Sequence, residues 1–474
     1  MLTLVNTNRM TPPIAPIGLD YVAGAARRMG VDVEVLDLSL ADDADAALRG
    51  YFGSCEPELI GLSFRNLDDS FWPSCQWFVP QLAQMVERIR SLSGAPICLG
   101  GTGFSIFARR VLELSGADFG IRGDGEAALP ALLCELRGER RLHRVAGLLW
   151  RQGQTMQENP PAWPEPLRLP TRRDRIDNAT YFHLGGQIGL ETKRGCPVRC
   201  IFCADPLAKG CVSRLRDPRE VADEIESLLG QGVDVLHTCD AEFNIPIAHA
   251  RAVCEEIVRR GLGRRIRWYA YLAVVPFDAE LARAMARAGC VGVNFTAPAA
   301  TDVMLAAYQQ PHTCDDLAVA VRLCKEQGIA VMIDLMLGGP GETPATVSRA
   351  IATCKRLAPD CVGTGVGVRL HPDLPMIDVV RSEGPLETNP AIHRKYGGSV
   401  DLIQPTFYIS ASLGERPAQL VRDAIAGDSR FFPPSDDAPP GHADGDHNYN
   451  DNTSLTAAIA AGARGAYWDI LRGL

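Results

Sequence analysis

The sequence predicts an α/β protein with three parts: an N-terminal doubly wound domain, a central partial (β/α)6 barrel and a small α-rich C-terminal segment. Short apolar strand segments alternate with amphipathic helical segments along residues 1–140 and again along residues 187–385. This alternation is typical of parallel sheets with helical crossovers. The second series has six strand segments, fewer than the eight of a closed barrel, so an open barrel is expected.

The first series predicts a ligand site at one sheet edge. Its strands are expected at 2–5, 31–38, 58–64, 95–99 and 117–122. In doubly wound sheets, ligands lie beyond the carboxyl ends of the strands. The candidate binding residues that follow these strands are Asn66, Gly100, Gly101, Thr102, Gly103, Gly123 and Glu126. The glycine run is not G-x-G-x-x-G and follows the fourth strand, which disfavours a dinucleotide site.

Residues 141–186 are rich in proline and arginine and are expected to form a linker. The barrel strands are expected at 189–193, 233–238, 266–271, 291–295, 330–335 and 362–369. Residues 386–474 form the C-terminal segment, which ends in a helix predicted over 454–470. The run 442–451 lacks the spacing of a calcium loop, so a solvated or substrate-covering loop is expected there.

Composition and charge exclude several classes of protein. The chain is 46% hydrophobic and 22% charged, with a net charge of −9, which argues against a nucleic-acid binder. No apolar run is long enough to span a membrane, and the first residues do not resemble a signal peptide. Fifteen scattered cysteines indicate a reducing cytoplasm with metal-binding or buried thiols.

The strongest chemical signal is three cysteines that follow the first barrel strand. Cys196, Cys200 and Cys203 have C-x3-C-x2-C spacing, which suits three irons of a [4Fe–4S] cluster. No fourth cysteine stands at matching spacing, so one iron is left open to a small ligand. A structural zinc site or buried free thiols are the alternatives, but zinc normally takes four protein ligands.

This stretch, with Phe202 just before the last cysteine, resembles the radical S-adenosylmethionine (SAM) superfamily. The resemblance implies that SAM chelates the open iron and is cleaved to a deoxyadenosyl radical when the cluster is reduced by a donor such as flavodoxin or ferredoxin. It also implies three groups of SAM-binding residues at strand ends. These are Asp240 and Glu242, the turn of Gly338 and Gly339, and Arg369. An equal alternative for Arg369 is a structural ion pair. An equal alternative for the two glycines is a tight turn.

A doubly wound domain before such a barrel resembles the cobalamin-binding subclass. Many members bind cobalt through a histidine in an Asp-x-His-x-x-Gly loop, but the first histidine of this chain is His143. The resemblance therefore implies His-off cobalamin, with Arg65 near the lower face of cobalt. A fixed cation there would favour methyl donation. The alternative is that Arg65 pairs with Asp68 or Asp69 in an ordinary loop.

The expected function is transfer of a methyl group from SAM, by way of cobalamin, to a carbon of a small-molecule natural product. The substrate carbon would react either as a radical or as a nucleophile. Relatives of this architecture also catalyse cyclisation or ring rearrangement without methyl transfer, which is the alternative function. A cobalamin sensor has no need for an open iron. A radical SAM enzyme that has lost cobalamin remains a further alternative.

Overall fold

The computed structural model covers the chain and describes residues 1–435 and 449–474. Its first sheet has seven strands: β1 (Leu2–Asn6), β2 (Val33–Asp37), β3 (Leu59–Ser63), β4 (Ile97–Gly100), β5 (Phe119–Ile121), β6 (Leu148–Gln152) and β7 (Thr155–Glu158). The order is β2-β1-β3-β4-β5-β6-β7. The first five strands are parallel, and the last two are antiparallel.

Helices cover both faces of this sheet. They are α1 (Ile17–Arg28), α2 (Ala44–Phe52), α3 (Val79–Arg90), α4 (Thr102–Ile106), α5 (Ala108–Ser115) and α6 (Gly125–Arg137). One core cluster packs α1 and α6 on one face, and another packs α2, α3 and α5 on the other. All five residues of β1 are buried, as expected of a central parallel strand. The doubly wound prediction is confirmed.

The hairpin of β6 and β7 corrects the predicted linker. It lies inside 141–186 yet extends the first sheet to Glu158. Residues 153 and 154 alone connect the two strands, and Gly153 has a φ of +61°. A two-residue connection with glycine at its first position is a hairpin signal. The many prolines and arginines around it obscured this signal in the sequence.

The barrel begins after α7 (Asn178–Gly185). In chain order it contains β8 (Ile188–Leu190), β9 (Lys193–Arg194), α8 (Asp205–Lys209), β10 (Arg214–Leu215), α9 (Pro218–Leu229), β11 (Val235–Thr238), α10 (Ile247–Arg259), β12 (Arg267–Leu272), α11 (Ala279–Arg287), β13 (Cys290–Phe295), α12 (Asp302–Ala307), α13 (Cys314–Glu326), β14 (Ala330–Leu337), α14 (Pro344–Leu357) and β15 (Cys361–Val366). Short 3-10 turns cover Leu142–Arg144, Leu262–Arg264 and Ala411–Leu413.

The C-terminal part adds β16 (Val368–Arg369), α15 (Pro375–Ser382), β17 (Ile392–Arg394), β18 (Thr406–Tyr408), α16 (Pro417–Ile425), β19 (Phe431–Phe432), α17 (Thr453–Ala460) and α18 (Tyr467–Leu471). The barrel sheet has the order β8-β11-β12-β13-β14-β15-β19 and every pairing in it is parallel. Its two edge strands, β8 and β19, do not pair with each other. The sheet is therefore open, as predicted.

Three features of the C-terminal part correct the prediction. A seventh strand, β19, joins the barrel sheet, and β16, β18 and β17 form a small antiparallel sheet. The segment is thus mixed rather than α-rich. In place of the single helix predicted at the C-terminus, the structure has two, α17 and α18, separated by a turn at Gly462. Gly462 has a φ of +106°, an angle that glycine adopts without the strain that other residues would suffer. Most of the run 442–451 lies outside the described residues.

Buried ion pairs join the two α/β units. Arg173 is fully buried and contacts Asp20 of α1 (2.6 Å) and Glu224 of α9 (2.8 Å). Arg216 also contacts Glu224 (2.7 Å). Removing one partner from such a pair leaves an uncompensated buried charge, so the network fixes how the units pack.

In the part of the chain that the structure describes, no helix is both long and apolar enough to cross a bilayer.

Candidate functional site

The loop that carries the three cysteines is closed at its base by a short antiparallel ribbon. It leaves the barrel at β9 and returns at β10, and these strands pair with each other. Gly195 has a φ of +85°, and a Cβ there would lie 2.1 Å from the carbonyl oxygen of Val212. Only glycine fits this turn. The amide of Cys196 then donates to the carbonyl of Gly210 (3.1 Å).

The three thiols lie on one loop, and their charges act on one another. Cys196 is buried, and Cys200 and Cys203 are half-buried. Burial raises the pKa of Cys196 to about 11 and that of Cys203 to about 12. The charges of the other two cysteines also act on Cys203. Three thiols on one loop suit a cluster with an open iron. No three His, Cys, Asp or Glu side chains among the described residues stand at the spacing of a single metal ion.

Phe202 connects the cysteine loop to the far side of the barrel. Its ring packs edge-to-face on Tyr308, with centroids 5.4 Å apart. The Tyr308 hydroxyl donates to the carbonyl of Met336 (3.0 Å) at the end of β14. A Cβ at Gly339 would lie 2.0 Å from that hydroxyl oxygen, and Gly338 has a φ of +92°. Both glycines of the predicted SAM turn therefore have a packing reason, and their contact with SAM stays a prediction.

Asp240 organises the root of the cysteine loop. Its carboxylate accepts hydrogen bonds from the amide and hydroxyl of Thr192 (2.8 and 2.6 Å) and from the amide of Lys193 (3.1 Å). Asp240 is only 3% exposed. Its oxygens are occupied by the protein, so the structure favours a positioning role over the predicted contact with SAM.

Glu242 has the opposite character. Its Oε1 accepts from the hydroxyl of Thr296 (2.7 Å), whereas its Oε2 is buried and has no hydrogen-bond partner in residues 1–435 or 449–474. Its φ of +60° is unusual for a residue with a side chain. Burial raises the pKa of this carboxyl to about 7, against the influence of Thr296 and Lys193. An open carboxylate oxygen near Cys196 is what an ammonium ligand such as the SAM amine requires.

Arg369 forms the structural ion pair that the sequence left as an alternative. Its guanidinium contacts Asp68 (2.8 Å) and donates to the carbonyls of Leu370, Leu402 (3.0 Å) and Ile403 (3.3 Å). Both charged side chains are almost fully buried. The predicted contact with SAM or substrate is therefore corrected, because all three nitrogens of the guanidinium are already bound within the protein.

The glycine run after β4 supports the loop after β3. A Cβ at Gly101 would lie 2.7 Å from the carbonyl oxygen of Phe64, and one at Gly103 would lie 2.7 Å from the amide of Leu67. The amide of Gly103 donates to the carbonyl of Arg65 (2.8 Å). These glycines are needed for close backbone packing. Gly100 has nothing within 4 Å of its Cβ position, and Thr102 begins α4; a role of the run in cobalamin binding stays a prediction.

Gly123 and Glu126 lie at the contact between the two units. A Cβ at Gly123 would lie 2.9 Å from the Trp163 ring. Glu126 accepts from Arg194 (2.7 Å) at the root of the cysteine loop. Asp124 contacts the same arginine (3.3 Å). The structure thus gives this turn a role in holding the cysteine loop, and its predicted contact with cobalamin is untested.

Arg65 is exposed at the end of β3 and is not paired with Asp68 or Asp69. Its guanidinium donates to Oδ1 of Asn66 (3.2 Å), and no carboxylate among the described residues forms an ion pair with it. Asn66 in turn donates to the sulfur of Met10 (3.3 Å). The charge of Arg65 acts on Cys239, Tyr271 and Tyr467 of the other parts of the chain.

An exposed guanidinium whose charge acts on residues of the barrel is consistent with the predicted cobalamin site between the two units, which stays a prediction. Sequence reasoning missed two residues that act on Glu242, the predicted SAM-binding carboxylate: Lys193 and Thr296. Lys193 is fully buried, and its ammonium binds the carbonyls of Gly195 (3.2 Å) and Ala241. It stands three residues before Cys196, which was the available signal.

Comparison with known proteins supports both halves of the site. A profile of the radical SAM superfamily matches residues 190–354, and one of the B12 binding domain matches residues 4–133. The chain is 30% identical to a tryptophan 2-C-methyltransferase of Streptomyces laurentii, over 98% of this chain and 95% of that one. It is 26% identical to a hopanoid C-3 methylase of Methylococcus capsulatus over 53% and 47% of the two chains.

Solved structures agree over the whole length. The radical SAM methyltransferase TsrM of Kitasatospora setae, with tryptophan and an aza-SAM analogue bound, superposes with a TM-score of 0.92. The two chains are 31% identical over 100% and 97% of their lengths. A second TsrM structure, with cobalamin and a [4Fe–4S] cluster bound, gives 0.90 at 30% identity. The predicted cofactors, cluster, SAM and cobalamin, are thereby confirmed, and the chain belongs to the cobalamin-dependent radical SAM methyltransferases.

Proposed function

We propose that this enzyme methylates an indole carbon of tryptophan. The observation that carries the proposal is the similarity, over nearly the whole chain, to a tryptophan 2-C-methyltransferase. The barrel interior supports it, because Tyr271 of β12 and His237 of β11 place aromatic rings there, with centroids 5.1 Å apart. Aromatic side chains pack well against an indole ring.

The functional residues of the chain would act at two strand-end faces, one for the cluster and SAM and the other for cobalamin. When bound, the cluster offers an iron to SAM, and cobalamin offers a cobalt that accepts and donates a methyl group. Cys196, Cys200 and Cys203 would hold the cluster. Glu242, oriented by Thr296, would hold the SAM amine.

On the other face, Arg65 would lie beneath the cobalt as a fixed cation, with no histidine in residues 1–142 to serve as a lower ligand.

We also propose that flavodoxin or ferredoxin is the electron donor. The test compares the turnover rates that flavodoxin, ferredoxin and a chemical reductant each support.

The main experiment supplies SAM labelled in its methyl group together with tryptophan and the cofactor-loaded enzyme. We expect labelled 2-methyltryptophan, identified by mass and by loss of the ring proton at C2. Little deoxyadenosine is expected if the indole reacts as a nucleophile, and one deoxyadenosine per product if it reacts as a radical. Deoxyadenosine without a methylated product would instead indicate rearrangement and contradict the proposal.

A matched pair of cysteine variants tests the cluster. Cys200→Ala removes one iron ligand and is expected to abolish methyl transfer and the cluster absorbance. Cys211→Ala changes an exposed thiol of the same loop outside the motif, and it is expected to retain both. Equal activity of the two variants would show that Cys200 is not a cluster ligand.

A further inference from the structure

The barrel strands separate their side chains onto two faces. Val331, Ile333, Leu335 and Leu337 of β14 belong to the core between the sheet and its helices. Because side chains alternate along a strand, Met332, Asp334 and Met336 face the barrel interior. The same alternation places Asn294 of β13 and Tyr271 of β12 inside, and these two residues are direct register partners.

The lower layer of the interior is closed. Tyr269, Met332 and Cys361 pack with Trp468 of α18 in one buried cluster. The hydroxyl of Tyr269 donates to Asp469 of the same helix (2.6 Å). The C-terminal helix thus fills the barrel at the amino ends of the strands, and a ligand has no room there.

The layer above it is open. The Tyr271 side chain is 39% exposed although its strand lies in the middle of the sheet. Burial still raises its pKa, and the charges that act on it belong to Asp334, Cys239 and Arg65. Among the described residues outside its own chain neighbours, the only atom within 4 Å of a Cβ at Gly365 would be the carbonyl oxygen of Leu335, at 3.7 Å. Tyr271 therefore lines an internal space that the Arg65 side of the molecule faces.

A polar pair lies on the wall of this layer. The amide nitrogen of Asn294 donates to Oδ2 of Asp334 (2.5 Å). Asn294 is only 2% exposed, and its Oδ1 is buried with no hydrogen-bond partner among the residues that the structure describes. A buried acceptor that lacks a donor is costly and calls for an explanation. Asp334 adds a negative charge to the same spot, which further raises the pKa of Tyr271 and of Tyr449 after the effect of burial.

We propose that Asn294 and Asp334 form the site that recognises a nitrogen-bound hydrogen of the substrate. The pair offers an amide oxygen and a carboxylate, and both accept hydrogen bonds. Their natural ligand is an N–H donor, either a ring N–H or a protonated amine. This inference deepens the proposed function and rests on it, because tryptophan carries both kinds of donor. In this site the pair determines specificity and orients the indole within the barrel.

The test measures binding to the cofactor-loaded enzyme rather than turnover. Three ligands are compared: tryptophan, N1-methyltryptophan, which lacks the ring N–H, and indole-3-propionate, which lacks the amine. Asp334→Asn keeps the volume of the side chain and removes its charge. We expect this variant to bind tryptophan about 10- to 100-fold more weakly than wild type, as for hydrogen bonds to charged groups. The loss should vanish for the analogue that lacks the recognised donor and persist for the other.

Two further variants complete the design. Asp360→Asn removes the same charge at the other end of these strands, and its amide oxygen can still accept from the amide of Val331; it is expected to bind all three ligands like wild type. Asn294→Ser should weaken tryptophan several-fold with the same dependence on the analogue. If Asp334→Asn does not load its cofactors, Asn294→Ser decides the question by the same pattern.

The outcomes separate the two proposals. If wild type binds and methylates tryptophan but the variants bind every ligand as tightly as wild type, the recognition site is overturned and the proposed function stands. A uniform loss for all three ligands would also overturn it, because the pair would then act only on the fold. If wild type neither binds nor methylates tryptophan, both proposals fall.

Discussion

Two strand ends of this enzyme carry an arginine each, and the two side chains differ in exposure and in their bonding partners. Arg65, after β3, is exposed, and within the described part of the chain its guanidinium donates only to its neighbour Asn66. Arg369, at the end of β16, is buried and fully bound by Asp68 and three carbonyls. Arg369 therefore stabilises the fold, whereas Arg65 has the exposure that its proposed role at cobalamin requires.

The same contrast separates two carboxylates of the SAM side. Asp240 accepts hydrogen bonds from Thr192 and Lys193, whereas one buried oxygen of Glu242 has no donor among the described residues. A residue with all its bonds made inside the protein holds a loop in place. A buried group with an open bond marks where a ligand belongs. Four substitutions test this distinction.

The largest effect is expected from Arg369→Ala. The change leaves Asp68 charged and unpaired in the interface between the two units, which costs about 3–5 kcal/mol of unfolding free energy. Chemical denaturation of the cofactor-free protein measures the loss. The double variant Asp68→Asn, Arg369→Ala should recover much of it. Equal stability of wild type and the single variant would show that Arg369 is not a structural residue.

Glu242→Gln should stabilise the cofactor-free protein at pH 8. The folded-state pKa of Glu242, raised by burial from an ordinary 4.5 to about 7, means that the protonated form favours folding. That contribution is complete below pH 4.5 and is lost as the pH rises through 7. The interval corresponds to on the order of 3 kcal/mol. Thermal melting across this range measures it, and a wild type more stable than the variant at pH 8 would contradict the assignment.

Gly103→Ala should cost about 1–3 kcal/mol, because an added methyl group in a tightly packed site forces backbone shifts. Its Cβ would lie 2.7 Å from the amide of Leu67 and 2.8 Å from the carbonyl carbon of Asn66. Gly100→Ala is the matched control, since nothing lies within 4 Å of its Cβ position. Denaturation of both variants compares them. Equal stabilities would show that the run does not support the loop of Arg65.

The smallest change in stability is expected from Arg65→Ala. An exposed side chain without an ion pair contributes within about 0.5 kcal/mol. The same variant should nevertheless change the visible and electron paramagnetic resonance spectra of bound cobalamin, because it removes the cation that we propose lies near cobalt. A large loss of stability with an unaltered spectrum would place Arg65 with Arg369 among the structural residues.

The sequence by itself determined the cysteine triad, the two α/β units and the open barrel, because each depends on local spacing. Three thiols within eight residues can bind one iron–sulfur cluster in any fold that exposes their loop. Alternating strands and helices have few ways to pack. The absence of a histidine before His143 was equally plain in the sequence.

Only the tertiary structure decided which polar residues are free. Arg65 and Arg369 stand in similar strand-end positions in the sequence, as do Asp240 and Glu242. Their roles depend on partners that are distant in the chain, such as the contact between Asp68 and Arg369 across 301 residues. The hairpin of β6 and β7 and the strand β19 were also decided there, because an edge strand depends on the neighbour that accepts its hydrogen bonds. Local patterns do not contain that information.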